Sequence, residues 1–138
     1  MIFIDANIFM YAAGRASPQR SPCQEVLRRL VMGQPEEPAC TSTEVLQEIL
    51  HRYRSIGSPA LGFRLFDSVL QLGLMILPVE VAAMRHARQI LEEHPDLSTR
   101  DAVHAGVIRS TGFARVLSYD RGFSTLAWLQ RLEPEALL

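Results

Sequence analysis

The sequence contains no lysine: all 14 of its basic residues are arginine. A GC-rich coding genome accounts for such a bias, but the absence still excludes any chemistry that needs a lysine. Walker-type phosphate loops, Schiff-base enzymes and phosphoryl-aspartate sites with a lysine partner are all ruled out. Cysteine is nearly absent too. Cys23 and Cys40 form neither a metal-ligand spacing nor a disulfide framework, which fits a reduced, cytoplasmic location. Cys40 lies in an apolar, strand-like run and is expected in the core. No apolar run approaches the roughly 18–20 residues needed to cross a bilayer, so no membrane partner is expected. No basic segment precedes the apolar start, so a secretory signal is not expected. A net charge of −1 gives no global attraction to a polyanion, and any nucleic-acid site has to be a local patch. Repeats and low-complexity tracts are missing. What remains is 138 residues, 48% hydrophobic and 21% charged. That is a globular composition with no linker-like break, expected to form one domain over residues 1–138.

The chain begins Met1-Ile2-Phe3-Ile4-Asp5-Ala6-Asn7. A short, wholly apolar run reads as a strand buried on both faces of a parallel sheet, residues 2–5, with an acid at its carboxyl end. A short helix follows over 7–13, ended by Gly14, and then a Ser-, Pro- and Arg-rich loop to Pro22. Helical spacing of Cys23, Val26, Leu27, Leu30 and Val31 continues to about Val31, and Gly33 to Pro38 reads as a polar turn. Residues 39–41 are a minimal second strand. Thr41 to Glu44 opens a helix that runs to about Arg54, and Ser58-Pro59 opens the next. Leu74 to Leu77 is a third strand, 80–93 a helix, and Ser98 starts another helix that ends near Gly112. Val116 and Leu117 lie in a fourth strand reaching Ser118-Tyr119-Asp120. A helical turn around Phe123 to Trp128 and a fifth, edge strand at Leu132 complete the chain. Alternating strands and helices predict an α/β, three-layer α/β/α domain with a central, mainly parallel sheet of four to five strands.

Four acids fall at one predicted edge of that sheet. Asp5 and Asp120 stand where a strand gives way to a helix or turn, and they lie side by side if the first and fourth strands are neighbours. Glu44 starts the helix after the second strand. Asp101 starts the helix before the fourth strand and shares a face with His104 and Ala105. Each has a purely structural explanation as well. Asp5 caps a helix, Thr41 to Glu44 and Ser98 to Asp101 match capping boxes, and Asp120 before Arg121-Gly122 is a turn residue. A capping acid nevertheless stays at its helix end. Four clustered carboxylates repel one another unless a counter-charge is present. A hard divalent cation with oxygen ligands supplies it and can also activate water at a phosphodiester. Spacing alone therefore points to a metal-dependent phosphodiesterase or nuclease.

Four segments occur in a telling order: Ile4-Asp5-Ala6-Asn7-Ile8, Ser42-Thr43-Glu44-Val45-Leu46, Arg100-Asp101-Ala102-Val103-His104-Ala105 and Ser118-Tyr119-Asp120-Arg121-Gly122-Phe123. Together they resemble the PIN domain and, in size and layout, the VapC toxins of prokaryotic toxin–antitoxin pairs. The resemblance implies a Mg²⁺- or Mn²⁺-dependent endoribonuclease that is restrained by a protein antitoxin and is commonly a homodimer. By position, Asp5, Glu44, Asp101 and Asp120 match its acidic quartet, with Asp5, Asp101 and Asp120 as metal ligands. Asn7 and Ser118 match supporting polar positions.

Other candidates have simpler readings. His104 is a helix histidine expected to pack or to act behind the acids, and His51, His86 and His94 are expected at the surface. Glu48, one turn after Glu44, reads as part of a solvated face, and Asp96 as a loop residue. Arg15, Arg20 and Arg121 are candidate RNA contacts, whereas Arg52 and Arg54 complement a helix dipole. Leu61, Phe63, Leu65, Phe66 and Leu70 cover more than one side of their helix, which suggests a dimer or antitoxin surface. The alternatives are a PIN-type RNA-processing nuclease outside a toxin system and a non-catalytic α/β binding module. The missing lysine and the single acid after the first strand oppose a receiver-like module.

Overall fold

A computed structural model describes residues 1–34 and 36–138. Among them are five strands and six α-helices: β1 (Ile2–Ile4), α1 (Ala6–Ala13), α2 (Arg20–Val31), β2 (Ala39–Ser42), α3 (Thr43–Ser55), α4 (Pro59–Gln71), β3 (Met75–Leu77), α5 (Val81–Glu93), α6 (Thr99–Thr111), β4 (Arg115–Leu117) and β5 (Gln130–Leu132). A 3-10 turn spans Arg121–Thr125, and a second spans Pro134–Leu137. The polar turn expected over Gly33 to Pro38 includes Pro35, which lies outside the described residues.

All four strand pairings are parallel, in the order β3-β2-β1-β4-β5. The apolar start of the chain explains the centre. Ile2, Phe3 and Ile4 are all fully buried. Side chains alternate along a strand, so both faces of β1 must be covered, and that makes three layers. Phe3 faces α6, where its ring lies 5.6 Å from that of His104. The chain builds β2 and β3 on one side of β1, then crosses to build β4 and β5 on the other. Such a reversal opens a crevice at the carboxyl ends of the two central strands. Ile4 pairs with Leu117, and the Asp5 amide donates to the Leu117 carbonyl at 3.1 Å, so the residues after both strands emerge together.

Several predicted boundaries move by a residue or two, each for a local reason. β1 stops at Ile4 because Asp5 is already the cap of α1. The helix cap after β2 is Ser42, whose Oγ accepts from the Val45 amide. Thr41 is instead a strand residue, its hydroxyl donating to the Ile4 carbonyl at 2.9 Å. α2 begins at Arg20, with Pro22 inside its first turn, where a missing amide hydrogen costs nothing. β4 ends at Leu117, and the turn after it starts at Arg121, directly beyond Asp120.

α5 and α6 form the tightest helix pair, and the small residues Ala83, Ala87 and Gly106 let them approach. A Cβ at Gly106 would run into the Ala83 carbonyl oxygen and sit 3.0 Å from the Ala87 nitrogen. Gly106→Ala is expected to destabilise the protein by about 1–3 kcal/mol through overpacking. Gly112→Ala, at a positive-φ helix end with open space around it, is expected to cost about 1 kcal/mol through strain alone. Urea unfolding midpoints decide the order; a smaller loss for Gly106→Ala would overturn this account of the pair.

Candidate active site

Asp5 is the best-anchored acid. As the cap of α1, its Oδ1 accepts from the Ala6 amide at 2.7 Å. Its Oδ2 accepts from the Ser118 hydroxyl at 2.6 Å and from Asn7 Nδ2 at 2.9 Å. Asn7 Nδ2 also donates to Ser118 Oγ at 3.0 Å, and Ser118 Oγ accepts from the Asp120 amide at 2.9 Å. Asn7 Oδ1 accepts from the Tyr119 amide at 3.3 Å. Asn7 and Ser118 thus tie the ends of β1 and β4 together and fix the Asp5 carboxylate between them.

Asp101 comes in from the start of α6, where the Ser98 hydroxyl accepts from its amide at 3.1 Å. Asp120 is turned by a bond from the Gly122 amide to its Oδ1 at 2.8 Å. The two acids meet over Gly122, since a Cβ there would lie 3.1 Å from Asp120 Oδ1 and 3.3 Å from Asp101 Oδ2. Asp5 caps its helix, Asp120 turns its loop and Asp101 follows the Ser98 cap, and all three line one cavity.

The glutamates divide. Glu48 enters a cavity of about 240 Å³ lined by Asp5, Asn7, Met10, Glu48, Arg52, Arg100, Asp101 and Asp120. Its Oε1 is 3.5 Å from Arg100 Nη1, and its Oε2 is 3.7 Å from His104 Nε2. Glu44 is one turn earlier on the same helix edge, and its Oε1 lies 3.7 Å from Arg100 Nε. Its side chain contacts that arginine and is not part of the cavity wall. The expected solvated face at Glu48 is thus not found. The signal was present in the sequence: Glu48 adjoins Ile49 and follows Val45 by three residues, and both are fully buried, so Glu48 lies at the edge of the inward stripe. Arg100 and Arg52 also line the cavity; an arginine beside an acid carries no spacing signature in sequence.

Arg15, Arg20 and Arg121 do not line this cavity. Arg15 lines a separate cavity of about 440 Å³ with Phe9, Tyr53 and Leu61. Arg121 and Arg20 are exposed, Arg121 directly after Asp120. His51 is exposed, whereas His86 and His94 are half-buried. His104 is fully buried behind the acids. Another cavity, of about 430 Å³, shares Asp101 and Asp120 with the one that Glu48 enters, so these two acids stand between two open volumes.

The electrostatics follow from burial first and from neighbouring charges second. Burial, then the neighbouring Asp120 and Asp5, push the Asp101 carboxyl up to about 7, while His104 pulls it back in part. Burial also raises Asp5, against the opposing pull of His104 and the Ser118 bond. Burial alone would depress the His104 imidazole, but Glu48, Asp5 and Asp101 together outweigh it and hold it above its usual range. A cluster of oxygen donors that retains a proton for lack of a counter-charge fits a hard divalent cation. Among the described residues, Asp5, Glu48 and His104 offer ligand atoms within 4.8 Å of one another, and Asp101 and Asp120 line the same cavity.

Asp101 is protonated in the fold between its ordinary value of 3.8 and about 7. Over that window the folded state binds the extra proton, so stability falls as pH rises, and the full cost is reached above pH 7. Metal-free protein is therefore expected to melt progressively lower from pH 4 to pH 7, and Asp101→Asn is expected to flatten that decline. Thermal melts across the range, with chelator present, provide the check; an unchanged slope in the variant would overturn the assignment.

The PIN domain family matches this chain over residues 2–129. Ribonuclease VapC13 of Mycobacterium tuberculosis is 36% identical over 132 residues, covering 96% of this chain and 99% of that protein. Ribonuclease VapC23 of the same species is 37% identical over 123 residues, covering 87% of this chain and 93% of that one. Among solved structures, VapBC2 from Rickettsia felis bound to a promoter DNA fragment has a TM-score of 0.75 at 17% identity, covering 96% of this chain and 98% of that one. FitAcB from Neisseria gonorrhoeae has a TM-score of 0.75 at 20% identity, covering 99% and 100%. At such identities the two structures show the fold, while the near-full-length relatives and the family match show the kinship. The acids at the β1–β4 crevice and these matches agree: the chain belongs to the PIN domain family, with VapC ribonucleases among its relatives.

Proposed function

We propose that this protein is a divalent-cation-dependent endoribonuclease, the toxin of a toxin–antitoxin pair, acting with Mg²⁺ or Mn²⁺. The observation that carries the reading is the meeting of Asp5, Asp101, Asp120 and Glu48 around one cavity at the sheet's switch point. Relatives more than a third identical are named ribonucleases, and solved structures of the same fold are toxin–antitoxin complexes.

In this reading Asp5, Asp101 and Asp120 hold the cation, which when bound supplies counter-charge and Lewis acidity. Asn7 and Ser118 keep Asp5 in one orientation. Glu48 takes the proton of the attacking water, and Glu44 acts at one remove by fixing Arg100. Arg52 and Arg100, at the wall of an otherwise acidic cavity, grip the phosphates that flank the scissile bond. Arg121 extends that grip past Asp120, and Arg15 serves the other groove. Attack by water rather than by the ribose 2′-hydroxyl leaves a 5′-phosphate and a 3′-hydroxyl. A protein antitoxin, or a second copy of the chain, has an apolar surface to meet on α4. Leu65 and Val69 face the core there, while Leu61, Phe63 and Leu70 are exposed. Among the described residues no helix is long and apolar enough to cross a membrane.

Purified protein freed of any partner is expected to make a few discrete, cation-dependent cuts in a total RNA pool, with 5′-phosphate ends. Asp5→Asn is expected to abolish them. Glu48→Gln is expected to lower kcat by about 10²–10⁴-fold, as for loss of a general base, and Glu44→Gln by much less. Products ending in 2′,3′-cyclic phosphate, or a Glu44→Gln loss equal to that of Glu48→Gln, would sink these assignments.

A further inference from the structure

His104 lies in the middle of α6 with no exposure, between buried Ala102, Val103, Ala105, Val107 and Ile108. Neither ring nitrogen has a hydrogen-bond partner. Packing does not explain such a residue. An unpartnered buried polar group costs about 1–3 kcal/mol, and an apolar ring would fill the same place beside Phe3. The ring is instead aimed. Its Nε2 lies 3.7 Å from Asp5 Oδ1 and 3.7 Å from Glu48 Oε2, two acids carried by different elements.

The proton count decides what the ring can do. Buried N–H groups without an acceptor are rarer than acceptors without a donor. The nitrogen facing two anions, Nε2, therefore carries a proton. Asp5 already takes three donors, from Ala6, Asn7 and Ser118. Of its four acceptor positions, one remains, on Oδ1. Arg100 lies 3.5 Å from the opposite oxygen of Glu48. Asp5 Oδ1 and Glu48 Oε2 lie equally close to Nε2, and Glu48 Oε2, with no donor of its own, has the greater open capacity.

We propose that His104 is a positioning residue of the cation site: its Nε2–H steers Glu48 against the Asp5 side of the cavity and leaves the last acceptor position of Asp5 free for the ion. Arg100 and His104 then grip the two oxygens of Glu48 from opposite sides. The inference rests on the reading of these acids as a cation site. Histidines and carboxylates behind a metal site commonly set its affinity in this way.

The test is Mn²⁺ binding to the RNA-free full chain, followed by electron paramagnetic resonance, with Asp5→Asn as the reference. In His104→Gln the amide nitrogen reaches the place of Nε2; in His104→Asn it reaches only that of Nδ1. Gln is expected to keep near-native Mn²⁺ affinity, and Asn and His104→Phe to lose about 10–100-fold. Metal-free melts establish that each variant is folded before its affinity is read. In native protein, ¹⁵N imidazole shifts are expected to place a proton on Nε2, and bound Mn²⁺ to show no histidine nitrogen coupling. These two native-chain readings decide the matter even where a variant fails to fold. Native-like affinity in a folded Asn or Phe variant, a bare Nε2, or direct nitrogen coupling would each overturn the proposal. If Asp5→Asn also binds Mn²⁺ normally, the cation-site reading itself fails. If Asp5→Asn loses the ion and the His104 variants do not, only the role of His104 fails.

Discussion

The 2.6 Å hydrogen bond from the Ser118 hydroxyl to Asp5 joins the carboxyl ends of β1 and β4, and the site is built outward from it. Ser118 also accepts from Asn7 and from the Asp120 amide. One hydroxyl thus sets the position of Asp5 and the start of the turn that carries Asp120. The bond is possible because β1 and β4 pair in parallel, with Ile4 opposite Leu117. Had the fourth strand added beyond β2 or β3, Asp5 and Asp120 would stand on different parts of the edge.

Folding works against electrostatics here. Burial at the crevice, with neighbouring carboxylates adding to it, raises the proton affinity of Asp101 and Asp5, and neither shift stabilises the fold at neutral pH. The surrounding structure offsets this with a fully buried apolar strand at the centre and close packing of α5 on α6. Sites that bind a cation commonly carry such strain, because repulsion in the empty site is relieved when the ion arrives. The two arginines at the cavity wall, Arg52 and Arg100, do not neutralise it. Arg100 leans on Glu44 and Glu48 from more than 3 Å away.

The comparisons divide along the same line. Structures of 12–20% identity share the fold, because a buried parallel sheet with helices on both faces asks only for apolar residues in the right places. Relatives at 36–37% identity carry the family assignment. The scaffold does not by itself specify chemistry; the polar residues at the strand ends do.

Much of the fold was legible in the residues. The unbroken Ile2-Phe3-Ile4 run can be buried only on both faces of a sheet, and the alternation of periods gave the helices and the parallel order. The acids Asp5, Asp101 and Asp120 were legible because each is pinned to an element end by its own capping or turn chemistry, a local property. The partition between Glu44 and Glu48 was not legible. Both lie at the edge of one helical stripe, and which of them enters the crevice depends on how α3 sits against β1 and α6. Nor could spacing reveal that Arg100 reaches both glutamates, or that Arg15 belongs to a different groove. His104 is the sharpest case. Sequence places it one turn from Asp101, but its approach to Asp5 and Glu48 joins residues 99 and 56 positions away. Local order fixed what each residue is next to along the chain; only the packing of α6 over β1 decided what the imidazole faces, because side-chain direction across elements is set by the tertiary fold.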